Sequence, residues 1–171
     1  PAYRSRFLSQ DVVLSAPFVA VADRVTTDVT VTGTTNVSIY SVTIPANVLR
    51  STGRLHLDVF GTVVADGVNN PTFTTQLGGT TVVALLPGLP DTSAANAPLI
   101  LRVDLIAEGQ TASSMWCAFE QYLSSAVAGY GTSTKDLTTD LVLEILVKWP
   151  GASGSYTMRF TDALLYFPTD T

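Results

Sequence analysis

A chain of 171 residues with 46% hydrophobic and only 13% charged residues can bury a full core as one domain and does not belong to the disordered class. Soluble domains average about 25% charged residues, so Thr, Ser, Asn and Gly must cover this surface instead. Nine Lys plus Arg against 14 Asp plus Glu give a net charge of −5; with Lys135 and Lys148 as the two lysines, there is no footprint for a nucleic-acid backbone.

Residues Pro1 to Pro17 hold Arg4 and Arg6 beside Tyr3, Phe7, Leu8, Val12, Val13 and Leu14, with neither a sustained period of two nor a helical pattern. Free tails are more polar than this, so the segment reads as an extended arm that docks on a neighbour, packing back on its own domain being the other option. A β-sandwich domain is expected from residue 18 to 171. No run approaches the roughly 18 apolar residues of a helical membrane span, because Ala16 to Ala22 is short and broken by Pro17; no membrane partner is expected. No signal peptide is apparent. The opening Pro1 is small enough to follow a trimmed initiator Met, which leads us to expect a complete cytosolic product.

From Phe18 onward, apolar and polar residues alternate between turn residues, the pattern of strands with one face on a core and one in water. Expected strands are Phe18 to Ala22, Thr26 to Val31, Val37 to Ile44, Arg54 to Val64, Thr72 to Leu77, Thr80 to Leu85, Leu99 to Ala107, Ser114 to Leu123, Leu141 to Trp149 and Ser155 to Phe167. Turn chemistry separates them: Asp66 to Pro71, Gly78-Gly79, Pro87 to Asp91 and Gly151 to Gly154. Gly78-Gly79 reads as a two-residue hairpin turn, and Ala46 to Leu49 as one helical turn after Pro45. The Pro87 to Pro98 connection and the Tyr122 to Asp140 excursion read as long loops.

Alternation also assigns faces. Leu55, Leu57 and Val59 point inward against Arg54, His56 and Asp58; Leu99, Leu101, Val103 and Leu105 against Arg102 and Asp104; Leu141, Leu143, Ile145 and Val147 against Glu144 and Lys148. Tyr156, Met158 and Phe160 are expected inward against Thr157 and Arg159. Leu141 to Val147 and Ala163 to Phe167 are apolar at nearly every position, so a second subunit or a central place in a sheet must cover both faces. Such a chain is all-β, a two-sheet antiparallel sandwich of jelly-roll type, with no blade-length repeat of a propeller.

No constellation carries chemistry. His56 and Asp58 share a strand face, but no Ser sits in a Gly-x-Ser-x-Gly elbow, and His56 reads as an exposed residue beside Arg54. Asp104, Glu108, Glu120 and Glu144 have the spacing of solvated strand faces, not of an acid–base pair. Asp66 to Asn70 offers oxygens to a hard cation such as calcium, yet the same residues are what a turn needs, so no metal is assigned. Asn36-Val37-Ser38 has glycosylation spacing, and neither Gly78-Gly79 nor Gly129-Tyr130-Gly131 matches a phosphate cradle. One cysteine, Cys117, rules out an internal disulfide and reads as a buried hydrophobe alternating with Met115 and Phe119. That register puts Trp116 and Tyr122 on the opposite face, available to stack on a sugar or to be covered by a neighbour. Neither a cofactor nor a catalytic residue is assigned, and the chain reads as a non-enzyme.

Taken together, Ser41 to Leu49, Gly53 to Thr62, Leu77 to Val83 and Trp149 to Phe167 resemble a loose family of small jelly-roll structural proteins of tailed bacteriophages: head decoration or cement proteins, head fibres and tail-fibre tips. The resemblance implies a virion protein, assembled in the host cytoplasm, that forms a homotrimer and stabilises the head by docking on the major capsid protein or another virion protein. The arm residues Tyr3, Arg4, Arg6, Phe7 and Leu8 would make the contact, and the apolar strands would hold the trimer together. The alternative is a fibre tip that binds a host-surface glycan, with Trp116, Tyr130 and Asp136 around a shallow site.

Overall fold

The computed structural model describes residues 18–65, 69–86, 97–121, 124–151 and 154–167. Eleven strands account for most of them: β1 (Phe18–Val25), β2 (Val29–Val31), β3 (Val37–Ile44), β4 (Arg54–Val64), β5 (Thr72–Leu77), β6 (Thr80–Leu85), β7 (Ala97–Ala107), β8 (Ser113–Gln121), β9 (Ser124–Ser133), β10 (Leu141–Lys148) and β11 (Ser155–Phe167). Among the described residues there is no helix.

The antiparallel pairs are nested: β2 with β11, β3 with β10, β4 with β7, and β5 with β6. A long hairpin of this kind, rolled over itself, gives one sheet ordered β2-β11-β4-β7 and another ordered β3-β10-β5-β6, which is the jelly-roll arrangement. Two additions enlarge the first sheet. β1 pairs with the far half of β11, and the β8–β9 hairpin extends the edge beyond β7.

The core lies between the sheets. Leu57, Val59, Val103, Leu105 and Tyr156 from the large sheet meet Phe73, Leu77, Leu143, Ile145 and Val147 from the small one, all at most 2% exposed. Each such side chain contributes about 1.5–3 kcal/mol by leaving water. Phe73 and Tyr156 meet edge to face at 5.2 Å between centroids. Trp149 closes one end at 1% exposure and donates its Nε1–H to the Val31 carbonyl at 3.1 Å. β10 lies inside its sheet between β3 and β5, with Leu141, Leu143, Ile145 and Val147 buried on its inner face, whereas Val142 on its outer side is 41% exposed.

Four local expectations change. Phe160 lies on the outer face, opposite Phe60, because a β-bulge between Met158 and Phe160 inserts one residue and reverses the alternation. Ala46 to Leu49 is not a helical turn; Val48 N–H donates to Pro45 O and Arg50 N–H to Asn47 O, with Asn47 and Arg50 at φ of 61° and 51°. The Thr26 to Val31 strand shrinks to Val29–Val31, since β1 runs on to Val25. The Tyr122 to Asp140 excursion contains a ten-residue strand, β9.

β9 lacked an apolar signal for a steric reason. After Val127 its inward positions are Gly129 and Gly131, and a Cβ on Gly131 would stand 2.1 Å from the Val82 carbonyl oxygen of β6. Val82 is the residue left out of register by a bulge in β6, so the two edge strands approach backbone to backbone and glycine is required. The predicted Gly78-Gly79 turn is present with φ of 54° and 72°, the two positive values of a type I′ hairpin.

At the end of the sandwich that holds Arg54, three connections are stitched together. Asn47 N–H donates to Leu137 O at 2.9 Å, Leu137 N–H to Gln110 O at 2.7 Å, and Gly109 N–H to Ser51 O at 3.0 Å. With Leu49 and Leu137 buried beneath them, these bonds satisfy backbone groups that loops would otherwise leave to water.

Candidate ligand-binding face

The outer face of the large sheet carries the polar chemistry of the molecule. Antiparallel pairing puts facing residues of adjacent strands side by side, and here the register aligns Leu164, His56, Asp104, Trp116 and Tyr130 in one row across β11, β4, β7, β8 and β9. The next row holds Asp162, Asp58, Arg102, Ala118 and Ala128.

A continuous chain of charge-assisted bonds links the two rows. Arg54 donates from Nε to Asp104 Oδ1 at 2.7 Å, and the same oxygen lies 2.7 Å from His56 Nδ1. On its other side, His56 Nε2 lies 3.3 Å from Asp58 Oδ2, and Asp58 Oδ1 accepts from Arg102 Nε at 3.2 Å. Asp162 sits beside Asp58 in register, a like-charge pair that Arg24 relieves with two bonds at 2.7 and 3.2 Å to the Asp162 carboxylate. The Arg24 guanidinium also lies 5.5 Å from the centroid of Phe160, a cation–π contact, and Phe160 packs on Phe60 at 5.8 Å. The side chains of His56, Asp58 and Asp104 are 18 to 25% exposed, so the network is held at the surface without being drowned in solvent.

Among the described residues, both ring nitrogens of His56 thus meet carboxylates, Asp104 at Nδ1 and Asp58 at Nε2. Among the described residues, no three His, Cys, Asp or Glu side chains cluster to hold a metal. The face offers rigid donors and acceptors beside an aromatic edge: Tyr130 is 52% exposed on β9. Such a face can present hydrogen-bonding groups to a ligand.

Of the residues singled out in the sequence, the fold brings two together. Trp116 and Tyr130, fourteen positions apart, are register partners on β8 and β9. Asp136 is not among them. It lies three residues past the end of β9, where its carboxylate accepts from Thr138 Oγ1 at 2.6 Å and Thr138 N–H at 2.9 Å; these bonds hold its pKa below the usual carboxylate range. It shapes a turn in the stitched end. Tyr3, Arg4, Arg6, Phe7 and Leu8 lie outside the described residues, as do 66–68 of the oxygen-rich loop and 87–96 of the long connection.

Sequence reasoning put Arg54, His56, Asp58, Arg102 and Asp104 on outward faces without joining them. A signal was present, since antiparallel pairing of β4 with β7 places His56 opposite Asp104 and Asp58 opposite Arg102. It was hidden because β5 and β6 intervene in the chain.

No family model matches the chain, and no curated protein matches it. Solved structures that are similar to it include peanut lectin with a nine-residue peptide, at 9% identity and a TM-score of 0.44 over 91% of this chain and 94% of that one. The CBM2 module of the evolved Dit of Lactobacillus casei BL23 phage J-1 gives 10% identity and a TM-score of 0.40 over 74% and 68%. Dimeric latent PorU from Porphyromonas gingivalis gives 8% identity and 0.41 over 79% of this chain, which spans 10% of the length of PorU.

Proposed function

We propose that this chain is a non-catalytic binding module of a tailed-phage virion, a jelly-roll domain that recognises a host-surface glycan across the outer face of its large sheet. The observation that carries the reading is the register pairing of Trp116 with Tyr130 in the row that also holds Asp104 and His56. Sugars are recognised by an aromatic plane flanked by fixed planar hydrogen-bonding groups, and this row supplies both residue types on neighbouring strands. Because the carboxylates and guanidinium groups already bond one another, they are preorganised, and a ligand need not order them.

The test is a glycan array followed by calorimetry on the best binder, with Tyr130→Ala and Asp104→Ala compared with Val142→Ala on the outer side of the small sheet. Loss of affinity by about tenfold or more for the first two, with no change for the third, is the expected outcome. An array with no binder, or binding indifferent to Tyr130 and Asp104, would sink the reading.

A second reading, head decoration through the residue 1–17 arm, draws on one observation. β1, the strand that follows residues 1–17 in the sequence, is an edge strand of the large sheet. Sedimentation with undecorated capsid shells separates the two readings: pelleting that Phe7→Asp abolishes supports decoration, and a chain left in the supernatant discards it.

A further inference from the structure

A second aromatic pair lies on the outer face of the large sheet, away from Tyr130. Phe60 and Phe160 are register partners on β4 and β11, and Ile100 of β7 continues their row. Val59 and Val63 fill the core from the same strand as Phe60, so these rings are not part of it. Contact with each other and with Arg24 leaves both only half-buried, and apolar area left in water is unfavourable.

Hydrogen-bonding groups flank the pair on both sides. Thr30, Thr157 and Thr62 stand in register across β2, β11 and β4, and the hydroxyls of the first two share a bond at 2.9 Å. On the other side runs the ionic row of Asp162, Asp58 and Arg102. An aromatic plane between fixed donors and acceptors therefore occurs twice on this face, once at Tyr130 and once at Phe60 and Phe160.

Charge selects what can lie across both. Each arginine described on this face is answered by one aspartate: Arg24 by Asp162 at 2.7 Å, Arg54 by Asp104 at 2.6 Å, Arg102 by Asp58 at 3.2 Å and Arg159 by Asp28. An anionic ligand would have to take an arginine from its aspartate and leave that carboxylate unpaired, in a chain already at −5. Glu120, opposite Ile100 in the Phe60 row, adds a further acidic position. A cationic ligand would strand an arginine in the same way. Uncharged hydroxyls need no such exchange, because they accept from guanidinium groups and donate to carboxylates that stay paired.

The register also sets a length. Phe60 lies four residues along β4 from His56, which shares a row with Tyr130, and β9 lies three strands from β4. At the usual strand rise and spacing these are about 13 Å and about 14 Å, or about 19 Å from Phe60 to Tyr130 on the diagonal, a gap that a disaccharide leaves open and a longer chain bridges.

We propose that Phe60 and Phe160 form a second sugar-stacking subsite, and that the glycan bound is an uncharged chain longer than a disaccharide, laid across the ionic rows from Tyr130 to Phe60. This inference rests on the glycan reading above and names its ligand class.

The test is an array carrying uncharged, sialylated and uronic-acid glycans, each series running from monosaccharide to octasaccharide, followed by calorimetry on the best binder and on its own disaccharide fragment. The best binder should be uncharged and at least about tenfold tighter than its disaccharide, since two subsites on one chain reinforce each other. Phe60→Leu and Phe160→Leu, which keep an apolar side chain on each strand, should bring the long chain down to the affinity of the disaccharide, and Phe60→Trp should keep the dependence on length. An array without a binder discards the glycan reading and this inference together. Binding lost in Tyr130→Ala but indifferent to both leucine variants, a disaccharide as tight as the full chain, or a charged best binder overturns this inference alone. So does a Phe60→Leu variant that turns a sedimenting dimer into a monomer, because a second copy would then cover the pair.

Discussion

His56 and Asp104 face each other across the β4–β7 ladder, Nδ1 to Oδ1 at 2.7 Å, and Arg54 reaches the same carboxylate oxygen. One acceptor thus fixes two side chains. Asp104→Ala should cost about 1 kcal/mol at low ionic strength, the upper range for partly exposed ion pairs, and less as salt screens the charges. Denaturant midpoints in low and high salt check this; a loss independent of salt would mean that packing, and not charge, holds the row.

Gly131 and Gly151 make opposite predictions. A Cβ on Gly131 collides with the Val82 carbonyl, a backbone atom that cannot turn aside, whereas nothing lies within 4 Å of a Cβ on Gly151. Gly131→Ala should lose about 1–3 kcal/mol by overpacking, and Gly151→Ala should stay within about 0.5 kcal/mol of wild type. Equal stability of the two variants would show that β9 does not approach β6 as described.

Two phenols should couple stability to alkaline pH. Burial, reinforced by the Asp23 carboxylate, pushes the Tyr40 phenol up, and burial alone does so for Tyr156. A raised pKa in the folded state means that the contribution is complete below the ordinary phenol value of about 10 and is lost as pH climbs above it. In a titration followed at 295 nm and by far-ultraviolet circular dichroism, two of the six tyrosines should ionise together with loss of the sheet signal. Six phenols titrating with the sheet intact would contradict it.

Trp149→Phe removes the donor to the Val31 carbonyl and empties ring volume beneath Gly154, whose Cβ position lies 2.3 Å from the Trp149 ring. The expected cost is about 2 kcal/mol or more, read from thermal or denaturant unfolding.

The two sheets together show how far the sequence reaches. Six strands have the same bounds in sequence and structure apart from one residue at most, among them Arg54–Val64 and Thr80–Leu85, because a half-buried strand writes its inner face as every second residue. β9 was illegible for the converse reason: after Val127, Gly129 and Gly131 occupy its inward positions, and the apolar contact they serve is supplied by Val83 and Leu85 of another strand. Phe160 was misplaced because a bulge is set by pairing with β4, which no local pattern records.

By itself, then, the sequence determined the all-β class, the sandwich, most strand bounds and which residues face outward, all properties of neighbours in the chain. The tertiary structure alone decided which strands pair within the jelly roll, β2 with β11, β3 with β10, β4 with β7 and β5 with β6, that β9 forms a rim of the large sheet, that His56 is bracketed by Asp58 and Asp104, and that Trp116 and Tyr130 are register partners while the Asp136 carboxylate bonds Thr138. Those are relations between strands distant in sequence, and only the register of the paired ladders, fixed by burying one face of each strand, brings such residues together.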